Sequence, residues 1–302
     1  MYTPLNRNIE TRNSSKVVLK CFSCLIVICG IILFPASSLA LPIETIAPEL
    51  SAEGVVILGW KNGKHEVVLE KNWRTLYPVA SITKLSTALV VQDLYPPNHV
   101  FEISPLAVST LGISGGLSVG QRVTRDELLA ALLIESSNDA AVAFAEPVGS
   151  EEFLFRMNEY LASKRLAHRK FTNVTGLDPR NRSTPPNSLT PYGSALLVNL
   201  IYKNNPVLSS IMSHKEVAIH TVDGDLIKNL THTNKVLDDS ILANKIIMSK
   251  TGTTTRAKEA LVMVTVGDRK YDYYTISILR SSDRVSDARL ILNTLYKIDT
   301  AR

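Results

Sequence analysis

Cysteine is nearly absent from this chain. Its 302 residues include three, Cys21, Cys24 and Cys29, all within the first forty positions. The rest of the chain holds neither disulfide nor thiol nucleophile, which excludes cysteine catalysis and thiol redox chemistry there. A chain of about 260 residues buries a sufficient core without covalent staples. Basic runs are missing too. The formal charge of +5 falls to +2 once Arg7, Arg12, Lys16, Lys20 and Glu10 of the opening segment are set aside. No Lys/Arg-rich stretch with interleaved aromatics remains, so nucleic acid is not an expected partner and attraction to an anionic surface is weak. Histidine is sparse, and the spacing of His220 and His232 fits no zinc signature; neither metal nor cofactor is called for. Repeats and low-complexity tracts are lacking.

The apolar run Cys21 to Phe34 is shorter than the roughly 20 residues a membrane span needs. Four bases precede it, and Ser38-Leu39-Ala40 follows with small residues where a signal peptidase inspects the chain. Residues 1–40 are therefore expected to be an export signal cut after Ala40, which places the rest outside the cytoplasm. An uncleaved anchor, drawing on Val17 to Leu19 and Pro35 to Leu41, is the alternative, and membrane contact is expected only in that case.

Beyond the signal, Gly54 to Trp60 and His65 to Lys71 read as strands joined by an Asn62-Gly63 hairpin turn. After Pro78, Ser81 to Val91 reads as a helix with apolar residues at 82, 85, 89 and 90. Ser81 and Lys84 then lie about one turn apart, with the amine in reach of the hydroxyl. A helix N-terminus favours negative charge, so an alkoxide developing on Ser81 is assisted by the dipole and by the amine. Alone, S-x-x-K arises about once by chance in a chain of this length, and a capping serine with a solvated lysine explains it.

Thr124 with Glu127 forms a capping box for a helix over Leu128 to Ile134. Ser136-Ser137-Asn138 closes that helix, and a further helix runs to about Val148; a polar helix–helix turn accounts for these residues when taken singly. Glu151 to Lys164 is amphipathic, Thr190-Pro191-Tyr192 opens a helix to about Asn204, and His220 to Leu237 gives no clear pattern. Asn244 to Ser249 reads as a strand carrying Lys250-Thr251-Gly252 at its end. Ala260 to Val266 and Tyr271 to Leu279 form a hairpin, and Arg284 to Ile298 a closing helix.

Ser81-x-x-Lys84, Ser136-x-Asn138 and Lys250-Thr251-Gly252 stand in the order used by penicillin-recognising serine enzymes. From about residue 50 to 295 the chain resembles the low-molecular-mass penicillin-binding proteins, the serine-type D-alanyl-D-alanine carboxypeptidases of peptidase family S11. The resemblance implies an α/β fold of the β-lactamase/DD-peptidase kind: an antiparallel sheet from both chain ends, flanked by helices, with an inserted helical lobe. Residues 41–302 would be a single catalytic domain, too short after Gly252 for the C-terminal β domain of larger relatives.

The resemblance also implies roles. Ser81 is the nucleophile, Lys84 the general base, and Ser136 relays a proton to the leaving amine. Lys250 keeps the site positive and Asn138 donates its amide to substrate. The N–H groups of Ser81 and Thr253 form an oxyanion hole. Thr251, Thr253 and Thr254 offer hydroxyls, and Arg284 or its rival Arg280 holds the terminal carboxylate. Gly252 completes the substrate-binding motif. Thr175 stands where relatives often carry histidine and receives no role.

The implied substrate is the peptidoglycan stem peptide, with β-lactams as covalent inhibitors. An endopeptidase cutting cross-links is the alternative. A serine β-lactamase of class A would need an E-x-x-L-N segment, which is missing between Asn138 and Lys250. An inactive wall-binding homologue is opposed by the intact motifs.

Overall fold

In the computed structural model, residues 42–112, 115–166 and 170–298 are described. The expected signal segment lies outside them. The described residues fall in one compact unit, Ala40–Arg302, and no helix among them is long and apolar enough to cross a membrane.

Strand β1 (Gly54–Lys61) turns through Asn62 and Gly63, at φ 50° and 75°, into β2 (Lys64–Lys71). Positive φ at both central residues is what a right-twisted two-residue hairpin requires, and Asn-Gly supplies it at low cost. Helix α1 (Thr83–Leu94) follows a 3-10 turn, Ala80–Ile82, so Ser81 sits just ahead of the α-helix and not in it. The lobe continues with α2 (Arg125–Ala130), α3 (Asn138–Ala145), α4 (Ser150–Ser163), α5 (Pro191–Asn204) and α6 (Pro206–Ser213). The stretch without a clear pattern includes a small hairpin, β3 (Glu216–His220) with β4 (Leu226–Thr231). Strands β5 (Ile246–Thr254), β6 (Lys258–Val266) and β7 (Tyr273–Ser281) lead to α7 (Arg284–Tyr296).

The main sheet has the order β2-β1-β7-β6-β5, antiparallel throughout, so both ends of the chain do pair, Gly54 opposite Leu279 and Trp60 opposite Tyr273. Successive strand residues point to opposite faces. Val56, Leu58, Val262 and Val264 join the core shared with the lobe, whereas Val55, Ile57, Leu261 and Met263 pack under α7. Both faces being covered, β1 is buried along seven of its eight residues; the apolar content of these strands reflects two cores.

Thr124 caps α2 by accepting from the Glu127 amide, at 3.4 Å. The capping box is only half built, because the Glu127 carboxylate accepts instead from the His220 amide, 3.2 Å away. Beyond α2 the helix widens into a π turn, Ala131–Glu135, and ends with Ser136 in the left-handed region, φ 70°. Single π turns of this kind gather at functional sites; here it rotates Ser136 out of the helical course.

Candidate active site

Residues Thr83 to Val91 of α1 are buried without a break, because the helix runs between lobe and sheet. Its polar members must therefore find partners inside the protein. Thr87 donates to the Val174 carbonyl at 2.7 Å, and Asn187 reaches Thr83 Oγ1 at 3.1 Å. Lys84 has no exposed surface, which rules out a solvated lysine at this position.

The Lys84 amine has three neighbours: Ser81 Oγ at 2.9 Å, Asn138 Oδ1 at 2.7 Å and the Thr175 carbonyl at 2.8 Å. Asn138 is oriented by its own donor, since Nδ2 is given to the Leu111 carbonyl at 2.8 Å. Carbonyl oxygens accept only, so Asn138 and Thr175 each take an N–H. In the neutral amine the third tetrahedral position is the lone pair, and it faces the Ser81 hydroxyl. That is the arrangement a general base needs. Burial lowers the Lys84 pKa from its ordinary value to about 7, opposed by the negative charge of Asp139. Near neutral pH both protonation states are then populated.

Asp139 escaped the motif reading although its negative charge acts on this amine. It is buried and accepts from the Gly115 amide at 2.9 Å, from the Ala140 amide at 3.0 Å and from Ser137 Oγ. Ser137 in turn N-caps α3. The Ser136-Ser137-Asn138-Asp139 turn is thus fastened by its second and fourth members, while the third, Asn138, meets Lys84. Ser136 Oγ is buried with no hydrogen-bond partner among the described residues. An orphaned buried hydroxyl costs about 1–3 kcal/mol, and a substrate group would relieve it.

Thr175 acts through its backbone. Its side chain turns to Asn173 Oδ1, 3.1 Å away, and its carbonyl meets Lys84. The histidine common in relatives is therefore not required for this contact. Gly176 follows at φ 84°, where a Cβ would lie 2.0 Å from the Ala80 carbonyl; only glycine lets this loop press on the Ser81 turn.

Lys250, Thr251 and Gly252 lie within β5, the terminal strand of the sheet, and not beyond a shorter strand. A Cβ on Gly252 would lie 2.7 Å from the Val79 carbonyl and 3.0 Å from the Ser81 nitrogen, so glycine brings the strand against the serine turn. His232 Nδ1 accepts from the Asn234 amide at 3.0 Å, which leaves Nε2–H to donate to the Ser249 carbonyl at 3.1 Å. Its pKa is lowered to about 4, by burial first and then by Lys250. This neutral histidine, unassigned by spacing, steadies the strand beside the motif lysine.

Lys250 is fully buried and donates to the Thr251 carbonyl at 3.0 Å. Burial, then the charges of Lys84 and Arg284, push its pKa well below the ordinary lysine value. Burial and the neighbouring cations disfavour its charged form, and a carboxylate brought beside it would favour the proton.

The two arginines separate cleanly. Arg284 Nη1 donates to Thr253 Oγ1 at 2.6 Å and to the Gly252 carbonyl at 3.2 Å. Arg280 is engaged by Glu53 at 2.9 Å and by the Arg256 carbonyl at 2.9 Å. Only Arg284 bonds to the motif strand. Thr254 is turned to Asp178, 2.9 Å away. Among the described residues no group of three His, Cys, Asp or Glu side chains is placed to hold a metal ion.

A family model described as D-alanyl-D-alanine carboxypeptidase matches residues 42–276. A D-alanyl-D-alanine endopeptidase of Pseudomonas aeruginosa is 29% identical over 241 residues, 78% of this chain and 73% of that protein. The D-alanyl-D-alanine carboxypeptidase DacA of Escherichia coli is 27% identical over 228 residues, 71% of this chain but 53% of the relative. The crystal structure of the Streptomyces K15 DD-transpeptidase superposes with a TM-score of 0.70 at 25% identity, covering 82% of this chain and 98% of that one. The chain therefore belongs to the D-alanyl-D-alanine carboxypeptidase family of serine peptidases.

Proposed function

We propose that this protein removes the terminal D-alanine from peptidoglycan stem pentapeptides through an acyl-enzyme on Ser81. The observation that carries the reading is the Lys84 amine, whose lone pair is aimed at Ser81 Oγ by two pure acceptors at 2.7 and 2.8 Å. Ser81 attacks the carbonyl between the two D-alanines while Lys84 takes the hydroxyl proton. The tetrahedral oxyanion is met by the backbone N–H groups of Ser81 and Thr253, each such donor being worth about 3 kcal/mol in acyl transfer. The carbon–nitrogen bond breaks as the proton taken up by Lys84 passes through the Ser136 hydroxyl to the departing amine, so that D-alanine leaves and Lys84 is neutral again. Water, deprotonated by Lys84, then hydrolyses the ester and restores Ser81.

An extended peptide adds to the outer edge of β5, where main-chain hydrogen bonds supply affinity. Arg284 takes the terminal carboxylate beside Thr253. Asn138 serves by fixing Lys84, its amide being given to Leu111; engaging substrate would need that bond to open. A β-lactam meets the same serine, its ring amide opening to a covalent ester. A peptidoglycan substrate places the protein outside the cytoplasm.

A second reading, cleavage of D-alanyl cross-links, draws on the relative named an endopeptidase, which is matched over more of its length than DacA. Mass spectrometry of products from a pentapeptide stem and from a D-alanyl-linked dimer, with Ser81→Ala as control, separates the two. Free D-alanine from the stem alone establishes the carboxypeptidase. Cleavage of the dimer alone establishes the endopeptidase. Products unaffected by Ser81→Ala would sink both.

A further inference from the structure

A pocket of ≈ 390 Å³ lies outside the constellation described above, lined by Pro78, Ser188, Thr255, Arg256 and Arg280 among others. Its walls continue both halves of the site. Pro78 stands three residues before Ser81, and Thr255 directly follows β5.

Cations outnumber carboxylates here. Lys258 Nζ and Arg280 Nε both bond to the same Glu53 oxygen, each at 2.9 Å. Among the described residues no carboxylate pairs with the Arg256 guanidinium; its Nη1 donates to the Thr184 carbonyl at 3.0 Å. Three cations thus stand with two carboxylates, Glu53 and Asp178, and among the described residues only Glu53 is paired with their side chains. Arg256 is also fixed in place, since its backbone amide is bound by Asp178 Oδ2 at 2.9 Å and its carbonyl accepts from Arg280 Nη1 at 2.9 Å.

Arg280 has φ 55°, a conformation costly for a residue with a Cβ, and lies where the β6–β7 register shifts. A bulge re-aims the side chains it carries, and strain of this kind is retained where surrounding structure over-determines it. A planar guanidinium held at one edge offers its remaining N–H groups to a carboxylate.

Strand direction says which part of a peptide would come here. Running from Lys250 past Thr253, where Arg284 is bonded, the chain leaves β5 at Thr254 and reaches Thr255 two residues on from Thr253, about 7 Å at 3.3 Å per residue. A substrate whose leaving residue puts its main-chain carboxylate beside Arg284 would send that residue's side chain toward Arg256 and Arg280. We infer that this pocket is a leaving-group subsite for a second carboxylate, so that the protein accepts departing residues that are dicarboxylic or belong to an acidic second peptide. The inference rests on the peptidase reading for its direction, but its test does not depend on turnover.

The test uses two diacetyl-L-lysyl peptides, ending in D-alanyl-D-glutamate and in D-alanyl-D-glutamine, which are isosteric and differ in one charge. Their affinities are measured calorimetrically on the Ser81→Ala protein, and their hydrolysis on the wild type. The glutamate peptide is expected to bind about tenfold more tightly, as a partly exposed charge-assisted pair allows. Adding Arg256→Gln or Arg280→Gln should bring the ratio of affinities to about one, with an unchanged thermal transition as the check on folding.

Equal affinities without the arginine substitutions, or a ratio that survives both of them, overturns the subsite. A retained ratio on Ser81→Ala with no hydrolysis by the wild type would sink the peptidase reading and leave the subsite standing.

Discussion

Lys84 gives the sharpest quantitative expectation, because burial, opposed by the charge of Asp139, sets when its lone pair is free. With a pKa of about 7, the neutral fraction is about 9% at pH 6 and about 91% at pH 8. The rate of Ser81 acylation by a β-lactam should therefore climb about tenfold across that interval and level off above it. An ordinary lysine would give about a hundredfold rise with no plateau. Stopped-flow acylation with a fluorescent penicillin from pH 5 to 9 reads the curve directly, and a rate still rising tenfold per pH unit at pH 9 would refute the argument.

The same displacement has a stability consequence. Folded Lys84 gives up its proton near pH 7, whereas the unfolded chain keeps it to about pH 10.4. Between these values the unfolded state binds more protons, so folding stability rises with pH. From pH 7 to 9 the wild type should gain about 2 kcal/mol relative to Lys84→Met, measured by urea unfolding of both. Parallel stability curves for the two proteins would show that the amine is not desolvated as its burial indicates.

Three further outcomes follow from particular contacts. Asp139→Asn removes the charge that raises the Lys84 pKa, so the acid limb of the acylation profile should move to lower pH; a limb that stays in place or moves up would contradict the electrostatics. Gly252→Ala puts a methyl 2.7 Å from the Val79 carbonyl and 3.0 Å from the Ser81 nitrogen, and should cost about 1–3 kcal/mol in stability by overpacking, with acylation falling at least tenfold; normal acylation would show that β5 need not touch the serine turn. Arg284→Ala should lower peptide turnover at least tenfold more than penicillin acylation if its guanidinium takes the terminal carboxylate, and equal losses in the two assays would assign it to holding Thr253 instead.

Much of this architecture was legible in residue order. Asn62-Gly63 fixes its hairpin because few other pairs tolerate two positive φ values, and the serine–lysine spacing follows from helical geometry close to the chain. Local pattern was silent on contacts made across the fold. The Glu127 carboxylate satisfies a capping pattern on paper, yet in three dimensions the His220 amide claims it. Thr175 contributes a carbonyl, which any residue could supply and no motif records. Asp139 and His232 act through burial beside charged neighbours, a property the one-dimensional text does not carry.

The sequence by itself determined which groups are available: two serine hydroxyls, two amines, an amide and a glycine at intervals that strands and helices present in order, and no thiol beyond the first forty residues. Tertiary structure decided their chemical state. A lysine one turn from a serine is a solvated cation on a surface helix, whereas the packing of α1 between lobe and sheet buries this one and lowers its pKa to about 7. Of Arg280 and Arg284, it is likewise the tertiary structure that brings Arg284 against Gly252 and Thr253. Sequence order fixes covalent neighbours, while protonation and partnership depend on desolvation and on contacts that form only when distant segments meet.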